Sequence, residues 1–448
     1  YLTAVDLQKY IYVNMPRWKK GSLSLDQSWE LTAFLLQQND ILPKTTDLNP
    51  KEAATISVHL PFHPRSNELI GQGILITSLG LLLVTLVFSG RLRAAASAQA
   101  PAGVKARSNF MQHLHPPMIP LPQARWRYTL VTGGLGIFLT MVLILTGTLE
   151  MFFYLPTPDQ AGQSIQVITF QIPFGSLVRG IHFWAAQALV ILATIHLLRV
   201  IFTGAYSPPR RFNYLLGVAI YILVIFFDFT GYVLRWDEGI RWALMVCTNL
   251  LKTIPQIGEQ LYGFVVGGNQ PGSATLIRFY SWHTFGLSLI TLIFIVWHIF
   301  RIRRDGGIAS PPPDKRSDPS RITRQQLFQR EVLAMVVASI VLVLFGSLLP
   351  TPLAVPIREN NIVQVDNVRA PWFFLWVQYL LRLGDAFWLG VVLPLSILVI
   401  LVTLPYIFPR VPSDQLGGWF PRAGRGAQIA AACLVIFLVV LTLLELYQ

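Results

Sequence analysis

The sequence predicts an all-α integral membrane protein with eight transmembrane helices, four of them in a first bundle and three in a C-terminal bundle. Three observations carry this. Apolar residues make up 53% of the 448 positions and charged residues only 13%, against roughly 25% charged in a soluble domain; mean hydropathy is +0.53. Eight apolar runs approach the roughly 20 residues that cross a hydrocarbon core. Basic residues concentrate in every second connection between those runs.

Residues 1–66 are polar and are expected outside the cytoplasm. Ser24 is placed to cap a helix over Leu25–Gln38, with Trp29, Ala33 and Leu36 on one face. The chain starts at Tyr1 without a signal peptide or an initiator Met, so further residues are expected upstream. Residues 67–127 hold the first span, Leu69–Phe88, and a cytoplasmic linker rich in Ala, Pro and Arg. Residues 128–309 carry the first bundle, from the spans Tyr128–Phe153, Leu177–Phe202, Leu215–Val233 and Trp282–Phe300. The loop Arg235–Thr275 is too long for a simple connection and is expected to pack on the outer surface. The Pro-rich run Ser310–Pro319 reads as a linker into residues 310–448, with spans Val332–Leu349, Trp388–Ile407 and Ile429–Leu446.

The net charge of +13 is topology rather than a nucleic-acid footprint. Arg91, Arg93, Lys105, Arg107, Arg125 and Arg127 lie between the first two spans, with no acidic residue among them. Arg210 and Arg211, then Arg301 to Arg330, then Arg410, Arg422 and Arg425 follow in alternate loops. Positive charge marks the cytoplasmic side, which puts both termini outside the cytoplasm. Cys247 and Cys433 are far apart and make neither a disulfide framework nor a zinc motif.

Four of the eight histidines fall inside predicted spans, two on each of two helices. His182 and His196 are 14 positions apart, about 3.9 turns and about 21 Å of rise. His283 and His298 are 15 apart, about 4.2 turns. Both pairs therefore lie nearly on one helix face at two depths. Facing helices would set His182 opposite His283 and His196 opposite His298, each pair able to supply both axial ligands of a haem iron. A single intramembrane His is as readily a packing residue; four in matched pairs point to function, since polar groups in hydrocarbon are costly.

Glycines repeat the spacing. Gly133 and Gly147 are 14 apart, as are Gly217 and Gly231. They would let a macrocycle approach the backbone, although small residues also serve helix packing. Arg179 and Arg199, three residues from His182 and His196, are placed to pair with haem propionates or to snorkel to the interface.

The run Arg179-Gly-Ile-His182-Phe-Trp184-Ala, then His196-Leu-Leu-Arg199, Thr203-Gly204 and Pro209-Arg210, resembles the cytochrome b of quinol–cytochrome c reductases. So do Thr230-Gly-Tyr232, Trp236-Asp237 and Ala274-Thr-Leu-Ile-Arg278-Phe-Tyr280-Ser-Trp-His283-Thr-Phe. The 15-position spacing on the fifth span is similar to the plastid and cyanobacterial cytochrome bf branch. The last three spans resemble that branch's small partner subunit, here fused. The likeness runs from about Phe110 to the C-terminus. It implies two haem b groups, one on His182 and His283 nearer the outside, the other on His196 and His298 nearer the cytoplasm. The cytoplasmic-side haem is expected to be the low-potential one.

Tyr10 to Asn39 resembles the last third of a class I cytochrome c, with a turn at Met15-Pro16 and the helix bearing Trp29. That likeness makes Met15 an axial ligand of a c-type haem whose CxxCH lies before Tyr1; the alternative is a plain soluble cap. The family's quinol-oxidation motif, Pro-Glu-Trp-Tyr, stands here as Ala370-Pro371-Trp372-Phe373, so Pro371 replaces the glutamate and Phe373 the tyrosine. Arg235 replaces a family proline, and Val131 stands where the bf branch attaches an extra haem through Cys. Asp228, in Phe226-Phe-Asp228-Phe-Thr230, is a carboxylate in hydrocarbon and a candidate proton carrier in place of the missing glutamate. A structural ion pair with Arg235 or Arg241 competes with that role. Asp228, Trp372 and Phe373 are thus the candidate catalytic residues.

The resemblance implies a quinol oxidoreductase subunit in a bacterial cytoplasmic membrane, with quinone, lipid and a Rieske iron–sulfur protein or other redox subunits as partners, in a multisubunit assembly that can be dimeric. The altered motif leaves a second reading, a subunit linking a different extracytoplasmic redox enzyme to the quinone pool. A non-redox scaffold or transporter fits the histidine pairs poorly.

Overall fold

The computed structural model describes residues 3–15, 21–38, 41–43, 48, 50–56, 58, 71–83, 118–310, 321–354, 356–357 and 369–447. Pro16, residues 84–117 and residues 311–319 of the expected Pro-rich linker lie outside them. The chain divides into two compact units, Tyr1–Gly71 and Gln72–Gln448.

The first unit is helical. Helix α1 (Ala4–Asn14) starts at Thr3, whose hydroxyl accepts from Asp6 N while Asp6 caps Thr3 N in return. Helix α2 (Leu25–Gln38) has the predicted bounds. Ser24 Oγ accepts from Gln27 N at 3.1 Å, and Gln27 Oε1 accepts from Ser24 N at 2.9 Å, the same reciprocal arrangement. With the short α3 (Pro50–Ala53) these helices bury Ala4, Leu36, Leu42, Ala53 and Val58. Trp29 and Ala33 pack against that core, as the helical period predicts. A buried Gln8 donates to Ser28 Oγ at 2.7 Å and ties α1 to α2.

In the larger unit, seven helices among the described residues are long and apolar enough to cross a membrane. The first expected span is described only as helix α4, Gly71–Leu83. After strand β1 (Met118–Pro120) and the short helix α5 (Trp126–Thr129) come α6 (Thr132–Met151), the surface helix α7 (Ala161–Phe170), α8 (Gly175–Phe202) and α9 (Arg211–Leu234). The long loop folds into α10 (Glu238–Lys252) and α11 (Gly258–Val266), so it carries structure of its own. Then follow α12 (Ser273–Arg304), strand β2 (Arg321–Thr323), α13 (Arg324–Leu348), α14 (Leu375–Leu383), α15 (Trp388–Ile407) and α16 (Arg425–Leu446). This is an all-α membrane architecture; β1 and β2 pair antiparallel over three residues, with Ile119 opposite Ile322.

Helices α6, α8, α9 and α12 form the first bundle: α8 packs along α6 and α9, and α9 along α12. The later helices lie against it, α13 on α8 and α6, α16 on α8, and α15 on α9. Two apolar clusters close the bundle's ends. Ile201, Tyr206, Tyr214, Leu404 and Ala427 lie at the end bearing the basic loops. Tyr154, Ile168, Trp236, Ile240 and Phe279 lie at the far end.

One local irregularity positions the site. Fourteen α-helical residues stop about 40° short of whole turns, whereas fifteen overshoot by about 60°. In α12 the residues Trp282–Gly286 form a single wide turn, with Leu287 N donating to Trp282 O. Such an i→i+5 turn absorbs one extra residue. Ser288 Oγ donates to the His283 carbonyl at 3.0 Å, satisfying an acceptor that the wide turn disturbs. The 15-residue spacing of α12 is thereby brought into step with the 14-residue spacing of α8.

Candidate functional site

A cavity of about 1220 Å³ runs through the first bundle, larger than the roughly 300–1,000 Å³ of a typical single-ligand pocket. All four intramembrane histidines line it, as do Gly133, Gly147, Gly217 and Gly231. At the far end the rings of His182 and His283 face each other with centroids 6.4 Å apart. That gap admits one metal ion bound by a nitrogen of each ring at about 2 Å. His196 and His298 line the same cavity toward the basic end. Among the described residues no three His, Cys, Asp or Glu side chains converge on one point.

Threonines set the state of the rings. Nδ1 of His182 lies 2.9 Å from Thr146 Oγ1, that of His283 2.9 Å from Thr230 Oγ1, and that of His196 2.8 Å from Thr132 Oγ1. Each hydroxyl has one proton, and each threonine gives it to its own helix: Thr146 to Val142 O, Thr230 to Phe227 O, Thr132 to Thr129 O. The hydroxyl oxygen is then an acceptor, so Nδ1 carries the ring proton and Nε2 keeps its lone pair. A metal-binding imidazole needs that tautomer. His298 lacks such a partner. Leu216 stands before Gly217, so no hydroxyl reaches Nδ1 of His298, whose polar neighbour is the Asn213 backbone.

The glycines set clearances. A Cβ on Gly231 would stand 2.8 Å from His283 Cε1, and one on Gly147 3.0 Å from His182 Cε1. On Gly217 it would stand 3.3 Å from His298 Cε1, and on Gly133 it would meet nothing within 4 Å. Three of the four therefore let a histidine ring lie against the backbone, while Gly133 opens onto the cavity. The predicted alternative, glycines for helix packing alone, does not describe them.

Arg179 and Arg199 are each only 6% exposed and line the cavity, so neither snorkels to an interface. Arg179 donates to Thr351 Oγ1 and Pro352 O after α13. Arg199 lies 4.5 Å over the Tyr128 ring and donates to Ala309 O at 3.3 Å, while its buried Nε has no partner among the described residues. A buried guanidinium edge without a partner suits an anionic group in the cavity. The residues present thus fit two metal-bearing macrocycles with acidic side arms.

Asp228 departs from expectation. The arginines expected to pair with it are engaged elsewhere: Arg235 with Asp237 at 2.6 Å and Arg241 with Glu238 at 3.2 Å. Asp228 instead accepts from Gln187 Nε2 at 3.0 and 3.2 Å, and Gln187 Oε1 accepts from Trp372 Nε1 at 2.6 Å. Trp372 and Phe373 line the same cavity. Met15 lies in the N-terminal unit directly after α1, half-buried. Burial pushes the Cys247 thiol up to about 11, so it stays neutral and supplies no thiolate ligand.

Sequence reasoning missed Thr132, Thr146, Thr230, Gln187 and the wide turn in α12. A signal existed for the threonines, since a Thr-Gly pair occurs at 132, 146 and 230. It also missed two carboxylates on the cavity wall, Glu150 toward the far end and Glu331 toward the basic end.

Residues 121–306 match the family described as Cytochrome b/b6/petB. The chain is similar to cytochrome b6 of Synechococcus sp. (strain JA-3-3Ab), 37% identical over 179 residues, which are 40% of this chain and 83% of that protein. It is likewise similar to cytochrome b6 of Auxenochlorella protothecoides, 38% identical over the same shares. Among solved structures, a chain of a "Hyperthermophilic respiratory Complex III" aligns with a TM-score of 0.58 and 22% identity, covering 71% of this chain and 92% of that one; that likeness bears on the fold.

Proposed function

The chain belongs to the cytochrome b/b6 family, and on that footing we propose that it is the dihaem electron-transfer core of a membrane quinol oxidoreductase of the bc type. His182 and His283 hold one haem b, and His196 and His298 the other. Bound there, haem iron supplies reversible one-electron transfer. The protein's part is to present Nε2 lone pairs, to keep water from the path with the apolar bundle, and to offer Arg179 and Arg199 to the propionates. The observation that carries this reading is the set of threonine hydrogen bonds that leave three of four facing imidazoles in the metal-binding tautomer. A pyridine haemochrome assay on the purified protein tests it: two haem b per chain are expected, and one or none contradicts it.

The substrate is a quinol or quinone, with Trp372, Phe373 and Asp228 bordering its ring at the far end. Electrons cross between the two haems, with an iron–sulfur protein of the Rieske type as the second acceptor, in a multisubunit assembly of a bacterial cytoplasmic membrane. The basic-loop end faces the cytoplasm. The last three spans correspond to the bf-type small subunit, and residues 1–66 to a partial cytochrome c in which Met15 ligates a c-type haem. Haem staining of the full-length chain after denaturing electrophoresis is expected to be positive; no stain leaves residues 1–66 as a cap. Pro371 and Phe373 favour a second reading, a subunit that links another extracytoplasmic redox enzyme to the quinone pool. A catalytic partner other than a Rieske protein in the purified complex would select it.

A further inference from the structure

The far end of the cavity holds a chain of three side chains from three parts of the sequence. Trp372 comes from the turn before α14, Gln187 from α8 and Asp228 from α9. The indole N–H is a donor only, and a carboxylate is an acceptor only. A side-chain amide between them has one satisfying orientation: its oxygen toward Trp372 and its nitrogen toward Asp228. Distances of 2.6 Å on one side and 3.0 and 3.2 Å on the other match that orientation. A flipped amide would set donor against donor and acceptor against acceptor. Gln187 is therefore locked, and through it Asp228 is held to the loop that carries Trp372.

Asp228 makes no ion pair among the described residues. Both its oxygens share one amide donor, so each keeps a lone pair for a further proton donor in the cavity it lines. The seat also survives protonation, because a neutral carboxyl still offers Gln187 a carbonyl oxygen. At the position where the family motif carries its carboxylate, this chain has Pro371, which has none. Pro371, Trp372 and Phe373 form the apolar wall of the same cavity.

We propose that Trp372, Gln187 and Asp228 form a hydrogen-bonded chain that seats the Asp228 carboxylate as the acceptor of a quinol hydroxyl proton, with Gln187 as the positioning residue. The inference rests on the quinol-oxidising reading above. The step assigned to the chain is a proton transfer: the quinol O–H bond breaks, an O–H bond forms on Asp228, the carboxylate becomes neutral and the quinol becomes its monoanion. The monoanion is the better electron donor.

The test is anaerobic stopped-flow mixing of the purified full-length protein, haems oxidised, with decylubiquinol or menadiol, reading the rise of reduced haem b. Asp228→Asn keeps the shape but not the basic carboxylate. It is expected to slow the reaction at saturating quinol about a hundredfold or more, with unchanged haem content and an unchanged dithionite-reduced spectrum. Asp228→Glu is expected to recover most of that loss. Trp372→Phe keeps the aromatic wall and removes only the N–H; it is expected to raise the half-saturating quinol concentration about three- to tenfold, with a smaller effect on the maximal rate. If Asp228→Asn fails to assemble with both haems, Trp372→Phe decides, and wild-type kinetics there overturn the inference. A wild type that responds to quinol while Asp228→Asn reacts at the same rate overturns the inference alone. A wild type whose haem b responds to neither quinol overturns the reading and the inference together.

Discussion

The two ends of the cavity each present two histidines, in differently built seats. At the far end both rings are hydrogen-bonded to a threonine, and both glycine clearances are 3.0 Å or less. At the basic end only His196 has its threonine; Gly217 clears His298 by 3.3 Å and Gly133 touches nothing. The charges differ too. The cavity wall near the basic end carries Arg199, Arg210 and Arg303 against Glu331. Near the far end it carries Glu150, Asp228, Arg179 and Arg235, the last neutralised by Asp237. Tight, net-acidic surroundings favour a metal's more positive, oxidised state, and net-basic surroundings its reduced state. With a haem in each seat, electrons are expected to run from the far end toward the basic end. The resemblance implies the opposite order, with the low-potential haem on the cytoplasmic side, and a potentiometric titration decides between the two.

The largest effect is expected from removing one ring. His283→Ala is expected to lose the far-end haem and His298→Ala the basic-end haem, each leaving one haem b per chain by pyridine haemochrome. Loss of both from either variant would mean that the two seats are not independent.

Removing only the hydroxyl is a finer change. Thr146→Val and Thr230→Val keep the shape and release Nδ1 of the far-end rings. Outer partners of metal-binding histidines contribute about 10- to 100-fold in affinity, so far-end haem retention during detergent dialysis is expected to fall within that range. Leu216→Thr supplies the missing hydroxyl at the basic end and is expected to improve retention there. An unchanged Leu216→Thr and unimpaired valine variants together would remove the threonines from the account.

A methyl group probes clearance more gently. Gly231→Ala places a carbon 2.8 Å from the His283 ring and is expected to displace it, shifting the far-end haem spectrum. Gly133→Ala meets no protein atom within 4 Å. It is therefore expected to be neutral for the fold while weakening the basic-end haem, through the volume taken from the cavity. Thermal unfolding and haem content measured together separate the two effects. The smallest change expected is from Arg303→Leu, a modest fall in the basic-end potential with the far-end potential unmoved, read by potentiometric titration.

Much of this was legible in the sequence because the signals are periodic. Apolar runs located the seven described spans, and the start of α2 followed from Ser24. The His182–His196 and His283–His298 spacings placed four histidines on facing helices, and all four line one cavity. The wide turn at Trp282–Gly286 was not legible, since one residue's excess in spacing can be taken up anywhere along a helix. The expected partner of Asp228 went wrong for a related reason. Charge along the chain suggested Arg235, but its guanidinium reaches Asp237 two residues on, whereas the amide that holds Asp228 comes from position 187 on another helix. Local sequence ranks ion pairs by proximity in the chain and does not register a neutral partner across a bundle.

One cavity is expected to hold two bis-histidine seats of unequal electrostatic character. A potentiometric titration of the purified protein, followed in the visible haem b absorbance and repeated on His298→Ala, tests it most directly. Two one-electron steps of equal amplitude are predicted for the wild type, with only the higher-potential step missing in the variant. A single step in the wild type, or loss of the lower-potential step in His298→Ala, would contradict the account.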